Sequence, residues 1–129
     1  MKLFVFAILV CMVVSCKEPA DRYVKRFDPV EINRIQMPDS AYSMDYIQIR
    51  AKAQAYNSCW RKLYFELKKT KDFEYSVKAF GVYESFGVCG DIIVTRDTVI
   101  NFRPQEKGTY LFHISRTPTE VDIDTLVVE

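Results

Sequence analysis

The chain has 129 residues, 49% of them hydrophobic and 27% charged, a composition that excludes a disordered chain and fits one globular domain with a sizeable core. Its 18 Lys and Arg stand against 17 Asp and Glu, so there is no surplus positive charge with which to hold a polyanion, and nucleic acid is not an expected partner. At the N-terminus Lys2 supplies a short positive region, and Leu3 to Val14 is an unbroken apolar run of 12 residues. A helix needs roughly 20 residues to span a bilayer, so this run reads as an export signal rather than a membrane span.

Val13-Val14-Ser15-Cys16 resembles a bacterial lipobox, in which a small residue precedes a Cys that is acylated on sulfur. Cys11 fits poorly because bulky Val10 precedes it. The resemblance implies a signal peptide over 1–15, lipidation at Cys16 and attachment by acyl chains to the cell envelope, with the outer membrane as the expected location. Cys11 is then discarded and Cys16 acylated, leaving Cys59 and Cys89 as a pair. In an exported chain such a pair reads as a disulfide rather than a metal or redox site. Residues 16–28 are expected to be a polar tether and 29–129 the folded domain. Glu18 and Asp21 after the Cys are a weak version of the surface-export signal of Bacteroidota lipoproteins.

From Val30 onward the chain reads as successive strands. Val30 and Ile32 share one parity and Ile35 and Met37 the other, so the first strand is expected to bend or switch sheets near Asn33. Ile47, Ile49, Ala51, Ala53 and Ala55 alternate with polar residues over ten positions, a half-buried strand. Cys59-Trp60 opens a strand with Leu63, Phe65 and Leu67 inward, and Thr70-Lys71-Asp72 turns it into a hairpin partner carrying Tyr75, Val77 and Ala79. Gly81 is expected to mark a bulge, and Ser85 to Gly90 a loop. Ile92 to Thr95 and Thr98 to Phe102 read as two short strands, and Ile123 to Val128 closes the fold.

In Asp97 to Arg116 a strand, a Pro-led turn and Gly108-Thr109-Tyr110 open a further alternating strand. This resembles the corner of immunoglobulin-like sandwiches, where a Tyr hydroxyl bonds back to the preceding backbone. The resemblance, with Trp60 on an early strand, implies an all-β fold: an immunoglobulin-like antiparallel β-sandwich of seven to eight strands, with Tyr110 bonded near Pro104 to Glu106. Phe112 stands where antibody domains carry a Cys, so shape and no function is implied. Lipobox, tether, sandwich and corner together resemble small lipoproteins of Bacteroidota.

Catalytic motifs are missing: the sequence has no GxSxG, HExxH, Walker loop or GxGxxG. His113, the single histidine, sits on the parity opposite Tyr110 and reads as an outer-face residue. Glu120, Asp122 and Asp124 could align oxygens for a hard cation, and a charged, solvated edge explains them more simply. No metal, cofactor or enzymatic activity is expected. Tyr64, Tyr83 and Phe86 are the candidate binding residues, around a loop that a Cys59–Cys89 bond would pin, and the competing reading places them in the core. The functional expectation is a membrane-anchored, non-catalytic binding or assembly module for an envelope protein or glycan. The alternative is a small lipoprotein inhibitor of a lysozyme or protease.

Overall fold

A computed structural model describes residues 22–129 of the chain. The expectations for the signal peptide and Cys16 lie outside the described residues. Eight strands follow in order: β1 (Val24–Gln36), β2 (Ser40–Ala41), β3 (Ile47–Ala55), β4 (Trp60–Lys71), β5 (Glu74–Ser85), β6 (Val94–Phe102), β7 (Gly108–Ser115) and β8 (Val121–Val128).

The architecture is all-β, as the alternating patterns predict, but its topology differs from an antiparallel sandwich. One curled sheet runs β2-β8-β7-β5-β1-β3-β6, with β4 paired to β5. Two pairings in it are parallel, β5 with β7 and β2 with β8. The curl is made by sharing edges. One edge of β5 pairs with β7 at Glu74 to Val77 and with β1 at Ala79 to Ser85, so two strands lie end to end along it.

β1 does switch partners. Val24 to Val30 pair with β5, Glu31 to Gln36 pair with β3, and Asn33 is an extra residue between the Ile32–Ala53 and Arg34–Lys52 pairs. That bulge moves the inward parity from Val30 and Ile32 to Ile35 and Met37, which is what the sequence pattern registers. Arg116 holds the bend: its guanidinium donates to the carbonyls of Ile32 and Asn33, each at 3.3 Å, and to Asp122 at 2.7 Å.

Three expectations are corrected. The folded domain begins at Val24, not residue 29, because Val24 to Asp28 already ladder with β5; the charged residues among them disguise a strand as a tether. Residues 94–102 form one strand rather than two, since Arg96 and Asp97 continue the register opposite Ala53 and Lys52 and are exposed at the sheet edge. The bulge near Gly81 belongs to β4, where Lys62 and Leu63 together oppose Gly81 and Lys62 has a positive φ of 50°.

Inward residues from seven strands make one core. Ile32, Ile49, Val77, Phe112, Ile114 and Leu126 are fully buried, and Leu63, Ala79, Phe102 and Tyr110 complete the packing. Rings of Tyr75, Phe102, Tyr110 and Phe112 pack edge-on or stacked, with centroids 4.9 to 6.2 Å apart. Such pairs add about 0.5–1.5 kcal/mol each beyond their buried area. The corner is formed: the Tyr110 hydroxyl donates to the Glu106 carbonyl at 2.8 Å and accepts from the Glu106 N–H at 3.2 Å.

Candidate functional site

The end of the molecule where β1 begins is built on the loop 86–93. Cys59 and Cys89 are bonded across it, with their Cα atoms 5.3 Å apart. The turn before β4 holds the same loop by backbone: Ser58 N–H donates to the Gly90 carbonyl at 3.0 Å, and Gly90 N–H donates to the Ser58 hydroxyl at 2.6 Å. Ser85 caps the loop start by accepting from the Gly87 N–H at 3.0 Å, and Gly87 has φ +116°, a conformation that favours glycine. A loop tied at both ends in this way loses little further freedom on binding.

The three candidate binding residues do not share one surface. Tyr83 pairs in register with Trp60 and Arg26 on the core side of the sheet. Its ring meets Trp60 edge-on at 5.3 Å, the Arg26 guanidinium lies 4.2 Å above it, and its hydroxyl points at the Cys89 sulfur, 3.2 Å away. A disulfide sulfur can only accept, so the hydroxyl donates. Tyr83, half-buried, therefore wedges the loop from beneath, on the face opposite Tyr64.

Tyr64 and Phe86 are on the opposite, outward face and belong to a stripe that the sequence reading missed in part. Tyr23, just before β1, and Lys25, Phe27 and Pro29 along it alternate outward. In register beside them on β5 lie Glu84, Val82 and Phe80, and Tyr64 of β4 opposes Phe80. Phe27 is 65% exposed, Phe86 64% and Tyr64 44%. Tyr64 stacks on Phe80 with centroids 5.7 Å apart, and Tyr23 meets Phe86 at 4.9 Å. The signal was present as a period of two in Tyr23-Lys25-Phe27, hidden inside the expected tether, and continues at Pro29.

Electrostatics reinforce this geometry. The Tyr23 hydroxyl donates to Glu84 at 2.8 Å, and that bond, with some burial and the carboxylate charge, raises the phenol pKa above its ordinary 10.0. Lys25, Arg61 and Lys62 flank the stripe and have no acidic partner among the described residues.

The remaining candidates occupy structural places. His113 faces outward on β7, with Nε2 3.6 Å from Glu74. Asp122 is engaged by Arg116, and among the described residues no group of three or more His, Cys, Asp or Glu is arranged to hold a metal ion. On the outer face of β1, β3 and β6 a hollow of about 300 Å³ is lined by Arg34, Arg50, Lys52 and Asp97. No helix of the described residues is long and apolar enough to cross a membrane. Comparison with family models, curated proteins and solved structures yields no match to this chain.

Proposed function

We propose that this chain is a cell-envelope lipoprotein of the Bacteroidota type, acylated at Cys16 and held in the outer membrane, whose β-domain is a non-catalytic binding or assembly module for an envelope protein or glycan. The lipobox Val13-Val14-Ser15-Cys16 supports the anchor. A distant immunoglobulin-like relationship belongs to the same proposal, supported by the Tyr110 corner and by Trp60 at the start of β4. The observation that carries the binding reading is the outward stripe of Phe27, Pro29, Phe80 and Tyr64 on rigid paired strands. Contiguous exposed aromatics on a strand face mark interaction sites more often than isolated ones do.

Two measurements test it. Metabolic labelling with a fatty-acid analogue marks the wild-type chain and misses Cys16→Ala; equal labelling of both ends the lipoprotein reading. For recognition, cross-linking in the intact envelope identifies the partner, and Phe27→Ala and Tyr64→Ala each weaken its binding by about 1 kcal/mol or more. Unchanged affinity in a folded double variant counts against the stripe.

A further inference from the structure

The aromatic stripe is not uniform along its length. At the Pro29 end it lies over paired strands, whereas at the Tyr23 end it runs into the pinned loop, where Val88 is 91% exposed and Ile92 and Ile93 are 58% and 61% exposed. Six residues of extended chain separate Tyr23 from Pro29, about 20 Å at the strand rise of roughly 3.3 Å. The two ends can therefore meet different surfaces.

Where the chain comes from decides which surface the loop end meets. Cys16 and Tyr23 are seven residues apart, and fully extended chain covers no more than about 25 Å over that span. Tyr23 is in ring contact with Phe86, so an acyl anchor at Cys16 keeps Phe86 and Val88 close to the lipid headgroups. The chemistry of this end fits that position. Aromatic rings with a polar tip and short aliphatic chains sit well at the boundary of headgroups and acyl chains. Arg22 and Lys25 are exposed on this side, and cations there are attracted to anionic phospholipid.

We infer that the loop 86–93, together with Tyr23, is a membrane-docking surface that seats on the phospholipid bilayer and orients the domain. The inference rests on the acylated reading of Cys16. Docking turns the loop end toward the lipid and leaves the Phe27, Phe80 and Tyr64 end of the stripe standing away from the headgroups for a partner. It also accounts for the disulfide and the backbone ties: apolar side chains aimed at a surface keep their aim only if the loop cannot fold them back. A bilayer, unlike a protein partner, needs no shape complementarity, which suits a short loop of exposed apolar side chains.

The test uses the full mature lipoprotein in vesicles of phosphatidylethanolamine and phosphatidylglycerol containing a bromine-labelled phospholipid. Phe86→Trp and, separately, Val88→Trp introduce an indole at the tip, with wild-type Trp60 as the background. The expected result is a blue-shifted emission that bromolipid quenches and aqueous iodide does not. Two positions are read so that one misplaced indole cannot decide the matter, and an intact disulfide by mass shows that the loop is formed. The mass of the Cys16 peptide is read on the same samples. An acylated chain whose introduced indoles stay iodide-quenched on vesicles overturns docking alone and leaves the loop free for a protein. A chain without acyl mass overturns the lipoprotein reading and the docking with it.

Discussion

Single atoms decide several features of this domain. The Tyr110 hydroxyl is both donor and acceptor to Glu106 while its ring is 5% exposed. Tyr110→Phe keeps the ring packing and loses both bonds, so it is expected to cost about 1–2 kcal/mol, read as a lower denaturation midpoint with an unchanged slope. An unaltered midpoint would show that water replaces the hydroxyl at no cost. Gly81 is determined by proximity rather than by backbone conformation: a Cβ there would lie 2.7 Å from Leu63 Cδ2, 2.9 Å from Trp60 Cε3 and 3.2 Å from Val30 Cγ1. Gly81→Ala is expected to lose about 1–3 kcal/mol by overpacking, measured by thermal melting. Gly108 combines both causes, with φ +150° and the Phe73 ring 2.8 Å from where a Cβ would be.

At the scale of elements, the Cys59–Cys89 bond closes a segment with a sequence separation of 30, and chain entropy assigns about 3–4 kcal/mol to such a closure. Reduction is expected to lower the melting temperature accordingly and to make loop 86–93 the first site of proteolysis, since β5 and β4 remain laddered without it. Mass mapping of limited digests before and after reduction checks this; a loop resistant in both states would show that the Ser58–Gly90 bonds alone hold it. The sequence made the interior elements readable because β3 and β7 alternate without interruption, while β4 beyond its bulge and β5 up to Gly81 each bury one parity. It concealed those at the edges. β1 from Val24 to Asp28 has a charged residue at Lys25, Arg26 and Asp28 and a Pro to follow, and it is strand only because β5 offers a free edge, a tertiary fact. Arg96-Asp97 separates two expected strands for the same reason: its charges are exposed on a strand held by β3. The candidate binding residues are half legible: period two puts Tyr64 outward, but only cross-strand register shows that Tyr83 faces Trp60 while Phe27 joins the outward stripe.

For the whole molecule, the curl leaves the sheet unclosed. β6 ends the order of strands and β4 pairs only with β5, so each presents one unpaired row of backbone donors and acceptors. Two such edges invite strand-to-strand association. The composition of the edges answers this. β4 carries Lys68, Lys69 and Lys71 in its exposed second half, and β6 carries exposed Arg96 and Asp97. Only Lys69 among those lysines has an ion-pair partner, Asp72 at 3.0 Å, so Lys68 and Lys71 contribute little to folding, and their charges act chiefly against approach of a second edge. Lys68→Thr with Lys71→Thr raises strand propensity and removes two charges. The double variant is expected to melt within about 0.5 kcal/mol of wild type, as exposed substitutions do, while sedimentation velocity shows concentration-dependent association that wild type lacks and that added salt promotes. If the variant stays monomeric at the highest soluble concentration, the lysines are not what keeps the edge of β4 single, and the twist introduced by the Lys62–Leu63 bulge is left as its protection.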